Sequence, residues 1–261
     1  MVRLALLLAA LAACDKHADA PAAPSKVPVL PDLIESQLGT IGFAMAVDLH
    51  ALDLAKVATM LPDDPPCLRQ VLSAAQIGAV TQGGETWEGY VSGVTEPTLR
   101  ACVEKFAPMM GVSVQDHGGG GFELVLPGKP AVFQWRGELA LITQGSDAPH
   151  AGEPPAVILD LLTRVPRSAK GWVVSSGFPN YKIKISVAWL ETDPTYWTFT
   201  ILAEGTEMDA AKPWLQSVID GFKAGAAQKG VTIDDKWFTL ESTPPTGKLV
   251  AKVPIAAFAG P

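Results

Sequence analysis

Six consecutive residues, Asp116-His117-Gly118-Gly119-Gly120-Gly121, join an imidazole to a run of backbone N–H groups with no Cβ in the way. Bare amides of this kind can stabilise an oxyanion when they converge on it. Sulfur chemistry is offered by three cysteines, Cys14, Cys67 and Cys102. The four histidines are His17, His50, His117 and His150, and Asp48, His50 and Asp53 are close enough in sequence to bring oxygen and nitrogen toward one metal ion. Gly128-Lys129 and Gly247-Lys248 each place a lysine after a glycine, as phosphate loops do.

Each of these candidates has a plainer reading, and the plainer reading is preferred. The glycine run resembles the oxyanion-hole loop of some lipases and esterases, but those enzymes also carry a Gly-x-Ser-x-Gly elbow, and the chain has none. It falls between two short stretches of strand character, where glycine serves a turn. No two histidines stand at the i, i+4 spacing of a helical zinc site. The Asp48/His50/Asp53 group reads as a cap beside a solvated helix face. Both Gly-Lys pairs lack the upstream glycine and the following Ser or Thr, and read as turns. Asp63-Asp64 and Asp234-Asp235 do not fit calcium-loop spacing. Accordingly no catalytic, cofactor-binding or metal-ligating residue is assigned, and no cofactor is expected.

The elements that would position any site follow from periodicity. A strand is predicted over Ile41–Leu49, a short helix over Ala51–Leu61, and a hairpin from Gln76–Thr81 and Trp87–Val94. Thr95 is placed to cap a helix whose inward stripe is Leu99, Cys102, Val103 and Phe106. Four strands follow, at Val112–Gln115, Phe122–Leu126, Ala131–Trp135 and Leu139–Thr143. After a Pro/Gly/Asp-rich break at Ser146–Pro155 come a helix over Ala156–Val165 and strands at Gly171–Ser176, Tyr181–Leu190 and Tyr196–Ala203. A longer helix over Ala210–Lys229, capped by Asp209, buries Trp214, Leu215, Val218, Ile219 and Phe222. Strands near Val231–Leu240 and Lys248–Val253 end the chain. Val91–Glu96 leads into one capped helix much as Leu202–Glu207 leads into the other. The fold class expected is therefore α+β, with antiparallel sheets, packed helices and a duplicated ferredoxin-like unit. The halves are placed at 39–148 and 149–261.

The chain holds 20 basic and 27 acidic residues, a net charge of -7. No basic run exists to follow a phosphate backbone, so nucleic acid is not an expected partner. The same charge would repel anionic headgroups. Of the seven tryptophans, Trp189 and Trp214 fit apolar stripes, whereas Tyr196-Trp197 and Trp237-Phe238 are adjacent pairs from which one ring must face away. Core packing is the preferred reading for those rings, with glycan or protein binding as the alternative.

The N-terminus supplies an address. Leu11-Ala12-Ala13-Cys14 closes an apolar run that begins at Leu4 after one basic residue, Arg3. The run is about half the roughly 20 residues a bilayer span needs. It resembles the lipobox of bacterial lipoproteins, in which the signal peptide is cut before the cysteine and the cysteine is acylated. That resemblance implies a signal peptide over 1–13, lipidation (palmitate among the acyl chains) of Cys14, and attachment to a membrane of the cell envelope. In enteric-type bacteria an aspartate at the position of Asp15 favours the inner membrane; the rule is not general, and the choice of membrane is left open. Residues 14–38 read as a disordered tether, whose Ala/Pro-rich stretch Asp15–Pro31, with Pro21, Pro24, Pro28 and Pro31, can extend up to ~50 Å. Acylating Cys14 leaves Cys67 and Cys102 as a pair that an oxidising compartment would bridge, two buried thiols being the alternative.

The arrangement also resembles uncharacterised predicted envelope lipoproteins, through the lipobox, the tether, Ala46-Val47-Asp48-Leu49 and the two cysteines flanking a hairpin. No activity comes with that resemblance. The expected function is a non-enzymatic envelope lipoprotein, held by lipid on Cys14, that binds or supports another envelope component, with an envelope protein as its partner. A carrier of an apolar small molecule is one alternative. The other is a hydrolase whose residues meet only in the fold.

Overall fold

The computed structural model describes residues 42–49, 67, 70–71, 74–83, 86–118, 120–126, 130–136, 139–144, 155–228 and 231–258. The signal, the tether, the helix expected at Ala51–Leu61, and Gly128-Lys129, His17, His50, Asp53, Asp63-Asp64 and His150 all lie outside them. The chain divides into two compact units, one ending at Pro155 and the other running Ala156–Pro261.

In the N-terminal unit the sheet begins with a meander of β1 (Phe43–Asp48), β2 (Ile77–Gly83) and β3 (Thr86–Ser92). Helix α1 (Glu96–Phe106) follows, and then β4 (Ser113–Asp116), β5 (Phe122–Val125), β6 (Ala131–Arg136) and β7 (Leu139–Gln144) form a second meander. Its last strand closes on the first meander, with β3 pairing β7 antiparallel. One sheet face takes up α1: Leu99 and Val103 pack over Phe122, Phe133, Leu124 and Trp135. Phe122 and Phe133 stack with centroids 4.5 Å apart, an offset contact worth roughly 1 kcal/mol beyond burial. Cys67 and Cys102 are both buried and are joined by a disulfide, with Cα atoms 5.1 Å apart.

The C-terminal unit starts with α2 (Ala156–Thr163), then runs β8 (Gly171–Ser175), β9 (Ile183–Thr192) and β10 (Tyr196–Gly205) as a meander. Helix α3 (Ala211–Ala227) leads to the hairpin β11 (Phe238–Thr243) and β12 (Thr246–Pro254), whose second strand pairs β10. Ala211, Leu215 and Ile219, at i, i+4 and i+8 of α3, bury against Ile183, Ala203 and Leu249. Gly247 lets that helix approach: a Cβ there would come within 2.7 Å of Leu215 Cδ1. On the other face, Ile158 and Leu161 of α2 are fully buried.

These connections correct the ferredoxin-like expectation. That architecture alternates two helices with four antiparallel strands in β-α-β-β-α-β order, whereas here the pairings, also antiparallel, come mainly from hairpins and meanders. The departure lies in the meanders: four consecutive strands, β4–β7, follow α1 before the chain returns to β3, and three, β8–β10, precede α3. Strand dominates, with twelve strands to three α-helices among the described residues. Large antiparallel sheets carrying helices describe the molecule; packed α+β repeats do not.

Smaller corrections follow from backbone geometry. The α3 cap position is Ala210, not Asp209, and no side chain caps it. Thr95 stands at the N-cap of α1 in extended conformation, but its hydroxyl meets Thr98 Oγ1 at 2.9 Å instead of a backbone amide. Residues 231–234 are not strand, and Trp237 ends a 3₁₀ turn (Asp235–Trp237), so only Phe238 of that aromatic pair enters β11. Gly247-Lys248 lies in β12, not in a turn.

Candidate functional site

A cleft of about 330 Å³ lies within the C-terminal unit. Strand alternation builds its floor. Val187 pairs Leu202, Leu202 pairs Lys248, and Lys248 pairs Glu241, which puts all four on the sheet face away from α3. The next row is Ile185, Glu204, Thr246 and Thr243. Leu161 and Arg164, at the end of α2, form the opposite wall. The floor is thus apolar toward β9 and polar toward β11.

Two charges on this cleft are neutralised within the unit. Arg164 Nη2 donates to Asp160 Oδ2 at 2.7 Å, and Lys184 Nζ donates to Glu204 Oε1 at 2.9 Å. Glu241 and Lys248 face each other across the hairpin without an ion pair or side-chain hydrogen bond among the described residues. The hydroxyls are spent on the turn: Thr246 Oγ1 donates to the Thr243 carbonyl at 2.7 Å and Ser242 Oγ to the Thr246 carbonyl at 3.4 Å. This arrangement suits a contact with an apolar group flanked by charge.

A second cluster lies in the N-terminal unit. Glu88 is 1% exposed, and Tyr90 OH donates to its Oε2 at 2.7 Å. Register sets Thr81 on one side of Glu88 and Thr143 on the other. Among the described residues Glu88 Oε1 and Thr81 Oγ1 have no hydrogen-bond partner. Asp48 and Tyr90 are buried on the same face. The sequence does carry a signal for this cluster, since Glu88 and Tyr90 alternate out of phase with Gly89 and Val91. It was missed because alternation alone does not say that both faces of a sheet are covered.

The residues singled out from sequence are dispersed. His117 sits at the tip between β4 and β5, with Nδ1 3.4 Å from Glu123 Oε2. The glycines after it make the turn: Gly120 and Gly121 have φ of 104° and 86°, and Gly120 N–H donates to the His117 carbonyl. Asp234 accepts from Lys236 N–H and caps the 3₁₀ turn, while Asp235 pairs with Lys223. Trp197 is buried, and Trp214 stacks on Phe178 with centroids 5.6 Å apart. No group of three or more metal-ligating side chains converges among the described residues. None of their helices is long and apolar enough to cross a membrane.

No protein-family model matches the chain, and no curated protein matches it. Its fold is similar to that of TP0453, crystal form III, with a TM-score of 0.53 at 7% identity over 85% of this chain and 94% of that one. Crystal form IV of the same protein gives 0.49 at 7% identity, over 85% and 92%. The likeness is one of fold alone.

Proposed function

We propose that this chain is a non-enzymatic lipoprotein of the cell envelope, anchored by acyl chains on Cys14, whose folded part binds another envelope component. The observation that carries the reading is the sequence Leu11-Ala12-Ala13-Cys14 followed at once by the Ala/Pro-rich tether. Acyl chains contribute about 0.8 kcal/mol per buried CH₂, and more than one chain makes attachment durable. The net charge, -7 for the whole chain and -8 once Arg3 is removed with residues 1–13, leaves those chains as the membrane contact. The cleft of the C-terminal unit, with its apolar floor and the charges of Glu241 and Lys248 at one side, supports binding.

The test is cross-linking of the tagged protein in intact cells, followed by mass spectrometry of the envelope fraction. One envelope protein recovered reproducibly, and lost from a Cys14→Ala variant that leaves the membrane, is the expected result. Recovery of no partner from correctly anchored protein overturns the binding reading.

A further inference from the structure

We infer that β11 is a docking edge for an extended segment of a partner protein, which adds a strand antiparallel or parallel to Phe238–Thr243. This rests on the proposal that the folded part binds an envelope component, and it names the chemistry of that component.

Among the described residues β11 pairs on one side only, with β12, and Thr239, Glu241, Ser242 and Thr243 are exposed. A strand with one side unpaired presents a row of backbone donors and acceptors, and only an extended chain matches their spacing. Natural edges are usually blunted by charged residues, above all lysine, by proline, bulges or extreme shortness. Phe-Thr-Leu-Glu-Ser-Thr has six residues, a single charge at Glu241, no lysine, no proline before Pro244, and a register with β12 that runs without a shift. Its threonines and phenylalanine favour strand.

The two faces of β11 specify the occupant. Phe238 and Leu240 are half-buried and pack at the margin of the α3 core, so apolar residues opposite them would extend that core outward. Thr239, Glu241 and Thr243 alternate onto the cleft face, where Glu241 has no ion-pair partner among the described residues. Lys248 faces Glu241 from β12 without forming an ion pair in the described structure, and a lysine or arginine on the added strand would meet that carboxylate from the open side. The partner segment is therefore amphipathic, alternates apolar with polar residues, lacks proline, and carries a basic residue in its polar set.

The probe is a displayed library of linear twelve-residue peptides, selected against the full chain. Selected peptides should share the alternating pattern and the basic residue, and their binding should slow amide exchange in β11 but not in β4. Glu241→Lys should weaken them about five- to tenfold, and Glu241→Gln by less, with circular dichroism unchanged. Peptides that protect other amides overturn strand addition while leaving the binding proposal standing. A library that yields no binder overturns strand addition too, and the cross-linking result then judges the binding proposal separately. A dimer whose β11 amides are protected without peptide overturns the assignment to a partner protein and gives the edge to a second copy.

Discussion

Glu88 shows what one side chain can contribute to a sheet buried on both faces. Its carboxyl is removed from water, and the Tyr90 hydroxyl is the donor that reaches it at 2.7 Å. Removing that donor leaves both oxygens without a side-chain donor in the described structure, a desolvation penalty of about 1–3 kcal/mol. Tyr90→Phe should therefore lower the stability of the N-terminal unit by that amount in urea titration, and an unchanged midpoint would contradict the assignment. Asp193, at the β9–β10 turn, behaves in the opposite way because it is well supplied. The backbone N–H groups of Thr195 and Tyr196 donate to Oδ1 at 2.7 and 2.8 Å and hold its carboxyl below the ordinary value, chiefly through the Thr195 bond. A depressed folded-state pKa contributes stability above the unfolded pKa of about 4, and that contribution is lost as pH falls through the folded value. The melting-temperature difference between the native chain and Asp193→Asn should hold at neutral pH and shrink below about pH 4. A difference independent of pH would contradict this.

Among the elements, those built on strong period-2 or period-3.6 patterns were legible and those joining them were less so. The stripe Leu215, Val218, Ile219 and Phe222 located α3, and the alternation of Ile183, Ile185 and Val187 located β9. Helix starts were less legible. Asp209 is a good capping residue by type, yet the helix begins one residue further on, because a cap is decided by backbone dihedrals that composition does not fix. The pairing order was illegible for a similar reason. Whether β11 or β12 lies beside β10 depends on long-range register, and the strands themselves read alike either way. The cleft went unseen because Arg164, Leu202 and Glu241 come from three separate elements. The glycine run, in contrast, was legible as a turn, and its geometry gives a graded prediction. At Gly121 a Cβ would lie 2.0 Å from the Phe133 carbonyl oxygen at φ 86°, whereas at Gly120 nothing lies within 4 Å. Gly121→Ala should cost more than about 2 kcal/mol, and Gly120→Ala only the ~1–2 kcal/mol of backbone strain. Equal effects in denaturant titration would contradict the close approach.

At the scale of the molecule, one covalent feature joins distant parts of a unit, and a second, proposed one would join the chain to a membrane. The Cys67–Cys102 bridge closes a loop across a sequence separation of 35. On the loop-entropy model that restricts the unfolded chain by roughly 4 kcal/mol. Reduction should move the urea midpoint of the N-terminal unit to lower concentration, and coincident curves for the oxidised and reduced protein would contradict a stabilising role. The proposed lipidation of Cys14 is the central claim, because membrane address, redox compartment and the nature of the partner would all follow from it. It is tested most directly by mass spectrometry of the N-terminal peptide from protein purified out of its native membrane. The account predicts a peptide that begins at Cys14 and carries acyl chains on its sulfur and amino group. A peptide that begins before Cys14, or an unmodified Cys14, would contradict it.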